Sequence, residues 1–153
     1  MRPDFWLTIK AEQRYEGRDP EIYELGTEAE LTDEDGVLFL RYRESALSGM
    51  EGFTTTFEIH RDQVILRRNG PLNLEMVLQA GQFQETLYGS GRNVTLLTIR
   101  TLEILDEMTV EGGTLTLAYE ICLGRRVSGV VKYSLEVRRC RPAAGGNCNT
   151  VTA

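Results

Sequence analysis

The sequence predicts an all-β domain, a single antiparallel and mostly up-and-down β-barrel of about 8–10 strands. Three observations carry that reading. Apolar and polar residues alternate with period two along most of the chain, and β-branched and aromatic residues supply much of the apolar set. Turn-forming segments interrupt the alternation at short intervals, as "DEDG", "SGMEG", "HRD", "RNGP", "AGQ", "EGG" and "LGRR". No helical pattern separates the strands, which excludes a β-α-β architecture. A train of hairpins, each with one apolar face, must stack or close on itself, and closure removes the exposed edges.

The elements follow in order. Phe5, Leu7, Ile9 and Ala11 share one face of the first strand, and Tyr23, Leu25, Thr27, Ala29 and Leu31 share one face of the second. Leu38, Leu40, Tyr42 and Glu44 are in phase in the third, and Phe53, Thr55, Phe57 and Ile59 in the fourth. Val64, Leu66 and Arg68 come next, followed by Leu72, Leu74, Met76 and Leu78. Phe83 to Tyr88 and Val94 to Leu105 read as strands, the latter apolar on both parities in part. Leu115, Leu117, Tyr119 and Ile121 are in phase, as are Val127, Val131, Tyr133, Leu135 and Val137. No linker breaks this rhythm, so residues 1–138 form one barrel domain and 139–153, small, polar and aperiodic, form a disordered tail.

Composition narrows the function classes. The net charge of −6 argues against nucleic-acid binding, and Arg67 and Arg68 alternate to opposite faces instead of forming a patch. Charge within the first apolar run is unlike a secretory signal, and no stretch reaches the roughly 20 apolar residues that span a bilayer. A cytoplasmic protein without membrane contact is expected. Cys122 falls inside a strand while Cys140 and Cys148 lie in the tail, and a single histidine beside that pair leaves too few ligands for a standard zinc site, so neither metal nor cofactor is expected, and Cys140 and Cys148 read as free thiols in the tail.

Several longer pieces, in order, resemble a known family: "YELGTEAEL", "LRYRESALSGMEGFTTTFEI", "VILRRNG", "TLYG", "RTLEI" and "GGTLTLAYEICLGRRVSG". Together they are similar to the YwiB-like family, bacterial proteins described as a domain of unknown function. The resemblance implies a calycin-like, or lipocalin-like, barrel with an interior cavity, and it brings no established catalytic residues.

Polar residues on inward phases mark the candidate site. Glu44 shares the face of Leu38, Leu40 and Tyr42, and Arg68 that of Val64 and Leu66. A lone buried charge is costly, so the simplest expectation is that the two meet. With Thr55, Tyr119 and Tyr133 also inward, the candidate ligand-binding residues are Tyr42, Glu44, Thr55, Arg68, Tyr119 and Tyr133. One reading is a pocket in which Arg68 grips the anionic group of a small apolar or amphipathic ligand. The other is a structural ion pair in a barrel filled by side chains, with function on the outer surface as a protein-binding or homodimeric interface.

Other features favour plain readings. "YGSGRN" is followed by a β-rich stretch and reads as a hairpin turn, not as a phosphate-cradling loop. His60 lies in a turn with no nucleophile to pair with, and Glu44 is the only acidic residue placed inside, so an enzyme using Glu44 as acid or base is a minority reading. Trp6, out of phase with its strand, either marks an interface or plugs a barrel end.

Overall fold

The computed structural model describes residues 5–45, 51–71, 73–90, 92–123 and 126–140, with the side chains of 88–90, 93 and 94 set aside. The strands are β1 (Phe5–Tyr15), β2 (Glu21–Glu34), β3 (Val37–Arg43), β4 (Thr54–Ile59) and β5 (Val64–Asn69). They continue as β6 (Leu74–Leu78), β7 (Phe83–Ser90), β8 (Asn93–Thr109), β9 (Gly112–Leu123) and β10 (Arg126–Arg139). All pairings are antiparallel, in the order β6-β5-β4-β3-β2-β1-β10-β9-β8-β7. The terminal strands β6 and β7 approach each other, and the Thr86 hydroxyl donates to the Glu75 carbonyl oxygen across the seam at 2.6 Å. The result is a nearly closed antiparallel barrel of ten strands, as the alternation predicts.

Local chemistry explains the corners. Asp35 and Gly36 both take positive φ (54° and 86°), which two-residue hairpins require and an Asp-Gly pair supplies cheaply. A bulge between Thr101 and Glu103 shifts the register of β8 on β9. It lets Thr101 and Ile104 both face inward, so the inward parity switches within the Val94–Leu105 stretch, whose Leu96, Leu102 and Leu105 are apolar but exposed. The "YGSGRN" stretch does join a hairpin, with Ser90 opposite Asn93, while Gly91 lies outside the described residues.

The interior is layered by register. One layer is Leu38, Ile59, Val64 and Leu78, and the next is Leu40, Phe57, Leu66 and Met76. Facing them are Leu7, Ile9, Leu115, Leu135 and Val137, all almost fully buried. The third layer is different in kind: Tyr42, Thr55, Arg68 and Leu74. The barrel is therefore packed with aliphatic side chains through its middle and becomes polar towards one end.

Other expectations resolve here. Trp6 points outward and lies over Gly26, where a Cβ would come within 2.5 Å of its ring. It covers a glycine gap in the sheet rather than plugging the barrel. β10 runs one residue past the expected boundary, because Arg139 pairs with Phe5. Cys140 is disulfide-bonded where the sequence reads as a free thiol, and Cys148, like the rest of the tail from 141 to 153, lies outside the described residues. Cys122 is free and half-buried on β9. Leu72 also lies outside the described residues. Among those described, no helix is long and apolar enough to cross a membrane, and no group of acidic, histidine or cysteine side chains is placed to hold a metal ion.

Candidate functional site

The third interior layer gathers the inward polar residues. Tyr42 is opposite Thr55, and Thr55 is opposite Arg68, so three neighbouring strands present phenol, hydroxyl and guanidinium in a row. On the facing wall Ala11 sits between Tyr23 on β2 and Tyr133 on β10. A methyl group between two tyrosines leaves room for the long Arg68 side chain arriving from the other wall. Its Nη2 donates to the Tyr133 hydroxyl at 3.1 Å. Tyr119 follows one layer further along, opposite Val131 and Thr101, with its ring 6.4 Å from that of Tyr133.

The structure brings all six sequence-predicted residues to this end of the barrel, with one change. Glu44 accepts a hydrogen bond from the Thr55 hydroxyl and also lies beside the Tyr42 hydroxyl. Among the described residues its carboxylate forms no ion pair with Arg68, contrary to the expectation that the two charges meet. Thr55 and Tyr42 stand between them. Shared phase fixes the face that two residues occupy; the distance their side chains span depends on what lies between.

Two further members, Tyr15 and Tyr23, were not among the predicted site residues. Both are half-buried, and Tyr133 and Arg68 act electrostatically on both. Five of the six tyrosines, Tyr15, Tyr23, Tyr42, Tyr119 and Tyr133, thus surround one arginine. The signal for Tyr15 is in the sequence, since it continues the inward phase of Phe5, Leu7, Ile9 and Ala11.

Burial pushes the Tyr42 and Tyr119 hydroxyls well above the usual phenol range, with Glu44 adding to the first and Tyr133 to the second. Burial and Tyr133 raise Tyr15 and Tyr23 too. All four stay protonated through the physiological range. Burial opposes the charge on Arg68, but a guanidinium is too basic to lose its proton in a protein and the Tyr133 hydroxyl accepts one of its hydrogen bonds, so it remains cationic although only 8% exposed. Its Nε is fully buried and has no hydrogen-bond partner. Buried polar atoms are almost always paired, so this donor marks a place for an acceptor.

A cavity lies beside the polar layer. The β2–β3 ladder ends at Glu30 opposite Arg41, after which β2 continues against β1 alone and β3 against β4. A cavity of about 690 Å³ opens at this fork, with Thr27–Glu30 on one side and Arg41–Arg43 on the other. Tyr42 belongs to both the cavity wall and the polar layer.

A family model described as a domain of unknown function, DUF1934, matches residues 7–136. The chain belongs to the DUF1934 family. The crystal structure of the ywiB protein from Bacillus subtilis matches the DUF1934 chain with a TM-score of 0.72, covering 88% of this chain and 91% of that one at 18% identity. That likeness bears on the fold alone and, with the family match, bears out the resemblance to a YwiB-like domain with a β-barrel fold. No curated protein matches. In this DUF1934 domain a second polar cluster involves β4, β5 and β6: Arg67 bridges Glu58 and Glu75, with His60 Nε2 3.3 Å from Glu58.

Proposed function

We propose that this barrel binds a small oxyanionic ligand at its polar end, with Arg68 as the anchor and the tyrosine hydroxyls as the surrounding donors. The observation that carries the reading is the buried, unpartnered Arg68 Nε. A count of hydrogen-bonding capacity supports it. The cluster holds five phenols, one threonine hydroxyl and a guanidinium, all able to donate, while its only purely accepting group is the Glu44 carboxylate. A site with that surplus is complemented by a group that only accepts, such as a carboxylate or a phosphate. The aliphatic layers next to it are filled, so the ligand's body is small and occupies the polar end and the neighbouring cavity, not a hollow lumen. The role proposed is binding.

The test is calorimetric titration of the protein, after refolding from denaturant to strip any bound ligand, with inorganic phosphate and with acetate. One equivalent should bind, and Arg68→Met should weaken binding at least tenfold, the scale of losing about one to two charge-assisted hydrogen bonds. Equal affinity in the Arg68→Met protein would sink the proposal.

A second reading has its own observation. The outer face of β7 and β8 exposes Phe83, Leu87, Leu96, Leu102 and Leu105, between 42% and 62% accessible. Leu87 lies directly opposite Leu96, which sets two leucines side by side, while the Glu85–Thr98 pair separates them from Phe83. Exposed apolar patches mark contact surfaces, and self-association through this face would appear in light scattering as a dimer that Leu87→Glu converts to monomer. A monomer for the parent protein at every concentration would remove that reading.

A further inference from the structure

We infer that the ligand of this site is a small zwitterion, an oxyanion that also carries an ammonium group, and that Glu44 is the residue that selects for it. The inference rests on the anion-binding reading above and adds the second half of the ligand. Its basis is that the polar layer contains two opposite charges that do not neutralise each other. Arg68 bonds to Tyr133 and keeps Nε unpaired, whereas Glu44 bonds to Thr55 on the other side of the row. A plain anion drawn to Arg68 would sit near a carboxylate and be repelled by it. A ligand with an ammonium at its other end would turn that repulsion into attraction and leave the site neutral.

Two further features fit. Glu44 is only half-buried and Arg68 is almost wholly buried, so a two-ended ligand would enter with its anionic end first and keep its ammonium near the mouth. The neighbouring cavity, which shares Tyr42 with the polar layer, is itself lined by both signs, Glu28 and Glu30 on β2 against Arg41 and Arg43 on β3, and none of these four is in an ion pair among the described residues. A rim of both signs offers neither a pure anion nor a pure cation a uniform field, and specificity of this kind comes as much from repulsion of the wrong partner as from attraction of the right one.

The experiment compares matched probes that differ only in the ammonium group: propionate with β-alanine, and ethyl phosphate with phosphoethanolamine, each titrated calorimetrically into the parent protein and into Glu44→Gln. In the parent, at least one ammonium-bearing member should bind tenfold or more tightly than its mate. In Glu44→Gln that preference should disappear, with the plain anion binding as well as before or better. Equal affinities within both pairs in the parent, with the anions still binding, would overturn the zwitterion inference and leave the anion site standing. A preference that survives in Glu44→Gln would overturn the role of Glu44. Failure of every probe and of phosphate and acetate to bind would overturn the anion site itself. The parent comparison needs no variant, so a misfolded Glu44→Gln would not shield the inference from test.

Discussion

Phe57→Ala is expected to lower stability by about 3–5 kcal/mol, the range for deleting a buried aromatic ring. Phe57 is 1% exposed and stands between Leu40 and Leu66 in the middle layer. Its neighbours belong to hydrogen-bonded strands that hold their spacing, so the void cannot collapse and the cavity penalty adds to the lost transfer energy. A small domain has about 5–15 kcal/mol in all, which makes this a large share. The ring also stacks on Tyr42, with centroids 6.4 Å apart and planes at 15°, so the loss reaches the polar layer. Urea denaturation should show the midpoint falling with unchanged slope, and phosphate affinity should fall in the folded protein as well. A midpoint shift corresponding to under about 1 kcal/mol would mean that the middle layer is not packed as described.

The polar layer was legible in part because period two is a strong signal. Tyr42, Thr55, Arg68, Tyr119 and Tyr133 sit inward for the same reason as the leucines before them in each strand, and their positions needed only the phase to be carried forward. What phase does not contain is register between strands distant in sequence. Tyr23 reaches Tyr133 because Ala11 pairs with both. Nothing local to Tyr23 says so, and it was therefore absent from the predicted site. The same limit explains Glu44 and Arg68: their shared face was readable, while the intervening Thr55 and Tyr42 became visible only with the strands aligned. The neighbouring cavity was hidden for a related reason. β2 reads as one strand of constant pattern, yet it exchanges neighbours near Ala29, and alternation is blind to which strand lies alongside.

The layering suggests a division of labour within one barrel wall. Aliphatic layers supply the stability that lets the same strands carry a guanidinium and a carboxylate a few residues further on. Burying Arg68 is unfavourable unless its donors are satisfied, and with Nε unpaired in the structure that satisfaction is incomplete. That cost to the fold is the ground on which the proposal assigns Arg68 a ligand.

That argument has a quantitative form in a pair of substitutions at Arg68. Arg68→Ala removes the volume of a long side chain from a site that is 8% exposed, and leaves Tyr133 without its donor. Cavity and lost hydrogen bond together predict a loss on the order of 2–4 kcal/mol. Arg68→Met keeps most of the volume while removing the charge and its desolvation. Replacing buried charged groups by apolar side chains of similar size is often neutral or stabilising, so Arg68→Met should stay within about 1 kcal/mol of the parent or exceed it, again by urea denaturation. If Arg68 instead closes the barrel end structurally, Met cannot replace its contact with Tyr133, and both substitutions should fall together by several kcal/mol. A stable Arg68→Met protein that no longer holds phosphate would separate the guanidinium's contribution to folding from its contribution to binding. A protein in which the two losses track each other would place Arg68 with the leucines beneath it, as part of the frame.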